Sequence, residues 1–300
     1  MSTPREQGRC RLQDGRALAY AEWGPPDGSP VLAFHGAPGS RLWCPDDYDP
    51  GTKTTEAGVR LITVDRPGYG RSDPRPAHRI VDWPDDVEQL LDTLQIDRCA
   101  AVGVSAGGPY ALACAARLPH RINRAGSVSG AAPAFHVLGV WEQLSEEWRA
   151  ALELGAQDPL AALDVAREGS QWLADEPDSV GDPSGWPEVD RWLAEDATMR
   201  EPLVAFVREA ARQGVDGYAR DRMAISLPWG FELREIEVET WLWQGEEDSM
   251  TSRAEFDLLC REIQRARCVL YPGEGHLLRG HWGEIFEALT GVAAARDGLS

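Results

Sequence analysis

Short apolar runs that break at glycine turns alternate with helical patterns through the first third of this chain. That alternation restricts the fold to a mainly parallel sheet covered by helices. The strand candidates are Ala17–Trp23, 31–34, 60–64 and Cys99–Val104. Residues 80–94 predict an amphipathic helix with Val87, Leu90, Leu91 and Leu94 on one face, and 106–118 predict another that stops at Pro119. One more strand is expected over 125–129. From 134 to 228 the β signals stop, and short helical patterns rich in acidic residues, tryptophan and alanine replace them. There Trp141, Leu144, Trp148 and Leu152 share a helical face that Gly155 would cap, and Pro202 would open a helix that Gly214 closes. The alternation resumes with strand 238–243, helix 252–265, strand 268–271 and helix 282–292. The expected organisation is a core over 1–133, a helical cap over 134–228 above a crevice at the sheet edge, and the rest of the core over 229–300.

Composition narrows the function classes. A net charge of -19 opposes binding to nucleic acid or to an anionic membrane surface, both of which need a basic footprint. No apolar run is long enough to cross a bilayer, and the residues after Met1 are polar, so the chain reads as cytoplasmic. Lys53 is the only lysine, which argues against Schiff-base chemistry. The six cysteines (Cys10, Cys44, Cys99, Cys114, Cys260, Cys268) show neither a CxxC pair nor zinc spacing. No metal site is expected, and no disulfide in a reducing compartment. A small-molecule substrate is the expected partner, with the oligomeric state open.

The chemistry concentrates in four segments. Gly103-Val104-Ser105-Ala106-Gly107 lies between a strand and a helix, where a sharp turn would expose the Ser105 hydroxyl, and side chains at 103 and 107 would collide with neighbouring backbone. A serine hydroxyl needs a base, and His276 sits in a glycine-flanked loop after the last strand candidate, with His281 as an alternative. The base needs a carboxylate, and Asp248 follows the preceding strand, beside Glu246 and Glu247. The turn His35-Gly-Ala-Pro-Gly can aim the Ala37 amide at Ser105 opposite the Ala106 amide, forming a pair of oxyanion donors, while His35 itself stabilises the turn. The segment from Asp65 to Asp73 carries glycines and two carboxylates but lacks the P-loop ending and dinucleotide spacing, and reads as a tight structural turn.

In order and spacing these motifs resemble the α/β-hydrolase superfamily from about residue 9 to residue 292. The resemblance implies an eight-stranded, mostly parallel sheet with helices on both faces and a helical cap between the sixth and seventh strands. It also implies Ser105 as nucleophile, Asp248 as acid, His276 as base, Ala37 and Ala106 as oxyanion donors, and no cofactor. Serine at 105 separates the chain from epoxide hydrolases and haloalkane dehalogenases, which carry aspartate there. His35-Gly-Ala-Pro-Gly is similar to the corresponding turn of proline iminopeptidases, but Ala37 replaces a glycine and no tryptophan follows Ser105. A serine hydrolase acting through an acyl-enzyme on a small, mostly apolar or aromatic ester or related carbonyl substrate is the leading expectation, either an esterase or a carbon–carbon bond hydrolase on a small ketone. The alternatives are a lyase, cyclase or acyltransferase on the same fold, or a ligand-binding receptor. Trp43, Trp141 and Trp148 are the candidates to line the substrate pocket, although helical spacing assigns most tryptophans of 134–228 to packing.

Overall fold

Short, nearly continuous apolar runs, buried on both faces, build the centre of the molecule. In the computed structural model, which describes residues 4–43, 52–133, 140–158, 160 and 162–291, the strands are β1 (Glu6–Arg11), β2 (Ala17–Trp23), β3 (Ser29–Phe34), β4 (Val59–Val64), β5 (Cys99–Val104), β6 (Ile122–Val128), β7 (Glu239–Gly245) and β8 (Ala266–Tyr271). They form one sheet in the order β1-β2-β4-β3-β5-β6-β7-β8. The two pairings of β2 are antiparallel and all others are parallel. Leu32, Phe34, Ile62 and Val64 point to one face, and Val31, Ala33, Val59 and Leu61 to the other.

Helices cover both faces. The chain runs through α1 (Thr52–Glu56), α2 (Trp83–Thr93) and α3 (Gly108–Arg117) before the interruption, and through α11 (Arg253–Glu262) and α12 (Trp282–Thr290) after it. Apolar residues of α2, α3 and α11 pack on one face, and those of α12 on the other. Between β6 and β7 lie only helices among the described residues: α4 (Val140–Gln143), α5 (Glu146–Gln157), α6 (Leu163–Glu168), α7 (Trp172–Asp175), α8 (Trp192–Glu195), α9 (Ala197–Ala210) and α10 (Asp216–Ser226), with 3-10 turns between them. The expected start of this insertion at 134 falls outside the described residues.

Three local expectations need correction. Gly155 does not end a helix but lies buried inside α5, where a Cβ would sit 2.5 Å from Met223 Cε, so glycine serves a close helix–helix approach. Pro202 does not open α9. The Asp196 side chain caps that helix by accepting from the Thr198 amide, and Pro202 lies within it. Cys260 and Cys268 are disulfide-bonded, contrary to the expectation from compartment, because the fold brings α11 against β8 with their Cα atoms 6.1 Å apart. Cys10, Cys99 and Cys114 are free and buried. Among the described residues no helix is long and apolar enough to cross a membrane.

Candidate active site

Ser105 stands where β5 gives way to a 3-10 turn (Ser105–Gly107) that runs directly into α3. Its φ of 53° is in the left-handed region, a conformation a non-glycine residue adopts only when its surroundings enforce it. Two glycines do the enforcing. A Cβ at Gly103 would lie 2.0 Å from the Gly107 carbonyl oxygen, and one at Gly107 would lie 2.1 Å from the Phe34 carbonyl oxygen. The strand therefore approaches the turn more closely than any other residue type allows. The Ala106 amide, at the start of the turn, has no carbonyl behind it within the helix to bond.

Strands β5 to β8 are parallel, so the loops after them open at one edge of the sheet. The loop after β7 carries Asp248 and the loop after β8 carries His276. The His276 Nδ1 lies 3.0 and 3.1 Å from the two Asp248 carboxylate oxygens, with both side chains buried. Asp248 Oδ1 also accepts the Met250 and Thr251 amides at 2.9 and 3.0 Å, which fixes the carboxylate before the ring meets it. A carboxylate only accepts, so His276 donates to Asp248 from Nδ1, and Nε2 is the ring nitrogen turned away from the carboxylate. Glu246 and Glu247 are exposed, and His281 pairs with Glu274 and Glu284 instead.

The turn after β3 lies against the serine. A Cβ at Gly36 would be 3.5 Å from Ser105 Cβ. His35 is buried, donates from Nδ1 to the Gly36 carbonyl at 2.7 Å and accepts the Arg66 amide at Nε2. Burial and the neighbouring Arg66 charge hold its basicity well below the usual histidine range, so the ring is neutral. Phe206 of α9 leans over the turn, with its Cζ 2.6 Å from where a Gly39 Cβ would stand.

Sequence reasoning missed Arg66. Within the segment read as a plain turn, Asp65 accepts from Arg41 and from the Arg71 amide, as a structural turn requires. The fully buried Arg66 guanidinium does more. It donates to the His35 and Gly36 carbonyls and pairs with Asp221 of α10 at 2.6 Å. Burial opposes its charge, but Asp221 more than compensates and raises its pKa. Tyr69 and Tyr110 also donate to Asp221, at 2.8 and 2.5 Å. Asp221 thus ties the helical insertion to the core, and that tie ends on the carbonyls of the turn beside Ser105.

Because the Tyr110 proton goes to Asp221, its oxygen accepts from His78 Nε2 at 2.7 Å, and burial pushes His78 down to about 4. An unfolded chain binds a proton at His78 near pH 6.5, which the folded protein does not take up until about pH 4. This contribution to stability is present above pH 6.5 and is lost as the pH falls toward 4. Urea midpoints are expected to drop between about pH 7 and about pH 4.5, and to drop less in His78→Gln, His35 supplying the remainder. Identical profiles for the two proteins would refute it.

The tryptophan candidates have packing partners. Trp43 is buried edge-on against Trp282 of α12, at 5.5 Å between ring centroids. Trp141 and Trp148 pack against the insertion cluster of Leu152, Leu163 and Met223, and the Arg222 guanidinium covers the Trp148 ring at 4.4 Å. A cavity of about 210 Å³ between insertion and core is lined by His78, Ile80, Gly155, Leu163, Met223 and Leu227 among others, but not by Ser105, Asp248 or His276. Among the described residues no three His, Cys, Asp or Glu side chains cluster as a metal-ligand set.

A strained serine between a parallel strand and a helix, over a sheet of this strand order, defines the α/β-hydrolase class of protein. The family described as alpha/beta hydrolase fold matches residues 29–278, and the chain belongs to that family. A non-heme chloroperoxidase of Streptomyces lividans is 34% identical over 153 residues, which cover 48% of this chain and 54% of the relative. A proline iminopeptidase of Xanthomonas citri is 35% identical over 121 residues, covering 38% of this chain and 36% of the relative. The matched segments thus span about half or less of these curated relatives. Among solved structures, the enol-lactonase from Burkholderia xenovorans LB400 superposes with a TM-score of 0.67 at 23% identity, over 94% of this chain and 97% of that one. An esterase from Exiguobacterium antarcticum gives 0.65 at 20% identity, over 94% and 97%. At these identities the two structures bear on the fold alone.

Proposed function

We propose that the protein is a serine hydrolase that cleaves a small, mostly apolar or aromatic carboxylic ester through an acyl-enzyme, with Ser105 as nucleophile, His276 as base and Asp248 as acid. The observation that carries the reading is the buried Asp248–His276 pair, at the sheet edge where the strained Ser105 turn also opens. His276 takes the Ser105 proton at Nε2 as the oxygen attacks the ester carbonyl. Asp248 stabilises the imidazolium without itself taking the proton. The imidazolium then protonates the leaving alcohol, and the same nitrogen activates the water that releases the acid.

The oxyanion donors are the backbone amides of Ala37 and Ala106. The Gly36 carbonyl is held by His35 and Arg66, and a planar trans peptide directs the Ala37 N–H to the opposite side. The Ala106 amide has the positive end of α3 behind it. The helical insertion acts as the cap, and Phe206 supplies an apolar wall beside the turn.

A fluorophosphonate probe tests this without knowledge of the natural ester. The expected result is one adduct, mapped to Ser105, that disappears in His276→Ala. A folded wild-type protein left unlabelled at Ser105 would count against an activated serine and move the weight to non-hydrolytic chemistry.

A further inference from the structure

We propose that Asp190 is a positioning residue for His276, through which the helical insertion sets the place of the catalytic base; the proposal rests on the serine-hydrolase reading above. Asp190 closes a 3-10 turn (Glu188–Asp190) within the insertion, remote in sequence from the catalytic loops, and is 1% exposed. Its Oδ2 accepts the His276 amide at 2.9 Å and its Oδ1 the Leu277 amide at 3.2 Å. A Cβ at Gly275 would fall 2.5 Å from the Asp190 carboxylate, so glycine at 275 is what lets the loop come this close.

His276 is therefore held twice. The core carboxylate Asp248 holds the ring, and the insertion carboxylate Asp190 holds the backbone that carries it. The loop is otherwise tied to either side of His276, where the Glu247 amide donates to the Glu274 carbonyl and the His281 amide to the Leu278 carbonyl. It contains Gly273, Leu278 and Gly280 at positive φ, and it belongs to neither β8 nor α12. Burial pushes the Asp190 carboxyl above its ordinary range, and the two amides together with His276 oppose that shift. Without these donors a buried carboxylate at this place would be costly, which ties the residue to the loop.

The structural consequence is that the insertion cannot lift as a free lid while the base stays in place. Movement of the 3-10 turn by a fraction of an ångström moves the His276 backbone with it, and proton transfer requires hydrogen-bond contact with Ser105. A residue that acts this way changes turnover and leaves ground-state ester binding alone.

The test compares wild type, Asp190→Ala and Asp190→Asn on two readouts, the rate of fluorophosphonate labelling at Ser105 and kcat and KM for p-nitrophenyl butyrate. Deuterium exchange of the loop from 272 to 281 and urea midpoints report on the loop and the fold. Asp190→Ala is expected to lower kcat and labelling rate by about 10²-fold with KM within about twofold, and to speed exchange of the loop amides. Asp190→Asn keeps one carbonyl acceptor and is expected to fall between the two, so it decides the matter where the alanine variant does not fold. A kcat equal to wild type in Asp190→Asn, or in a folded Asp190→Ala, would overturn the proposal even if exchange or stability changed, since a merely structural contact would give that pattern. Failure of the wild type itself to label would instead sink the serine-hydrolase reading, and this one with it.

Discussion

Ser105→Ala is expected to lower kcat on an activated ester by about 10⁶-fold, and His276→Ala by a similar factor, while Asp248→Asn costs about 10⁴-fold. The first figure corresponds to about 8 kcal/mol of transition-state stabilisation at about 1.36 kcal/mol per decade. The two alanine effects should not add, because a nucleophile without its base and a base without its nucleophile fail at the same step. The Asp248→Asn loss has a specific cause here. Asp248 Oδ1 receives two backbone amides, from Met250 and Thr251, so an asparagine must place its carbonyl oxygen there. Its NH2 then takes the place of Oδ2, 3.0 Å from His276 Nδ1, and favours Nδ1 as acceptor over the longer 3.1 Å contact to Oδ1, which shifts the ring proton to Nε2, where the Ser105 proton should go. The measurement is steady-state hydrolysis of p-nitrophenyl butyrate by the three variants, with thermal denaturation as the check on folding. A folded Ser105→Ala protein that kept activity within about 10-fold of wild type would end the triad assignment.

How much of this was legible in the sequence depends on the range over which each feature is encoded. The Ser105 elbow is local: strand, glycines, serine and helix all lie within 99–117, and the structure puts the turn where the motif places it. The central strands are nearly as local, because burial on both faces makes them continuous apolar runs. The edge strand β1 escaped residue-level reading because it has only one buried side chain, Cys10, among polar neighbours. The preference for Asp248 over Glu246 and Glu247 could be argued from sequence, but the partnership with His276 appears only in three dimensions. Asp190 and Asp221 left no sequence signal, and Arg66 lay in a segment whose glycines and carboxylates read only as a turn. Their partners lie 86, 155 and 30 residues away, and periodicity and motif spacing carry no information at that range. The Cys260–Cys268 disulfide was missed for the opposite reason: a separation of 8 residues fits no redox motif, and a prior about compartment overrode it.

Asp221→Ala is expected to destabilise the protein by about 3–5 kcal/mol, because it leaves the fully buried Arg66 guanidinium without its counter-charge. Two buried hydroxyls, Tyr69 and Tyr110, lose their acceptor in the same step. Arg66→Met in turn leaves Asp221 as a buried carboxylate facing only the two tyrosines. Removing both charges at once, in Arg66→Met with Asp221→Leu, should be less harmful than either single change, since the cost of a broken buried pair is mainly that of the charge left behind. Activity should not follow stability in that double variant. Arg66 also donates to the His35 and Gly36 carbonyls, and the Gly36 carbonyl belongs to the same peptide plane as the Ala37 N–H. Without the guanidinium that plane is held only by His35 Nδ1, and the proposed oxyanion donor loses its fixed direction. Urea unfolding is therefore expected to show the double variant recovering part of the loss, while kcat stays about 10²-fold below wild type. Recovery of stability together with full kcat would show that Arg66 serves only to bury Asp221. Failure to recover stability would show that the tyrosine hydroxyls left without their acceptor, and not the broken ion pair, carry the loss.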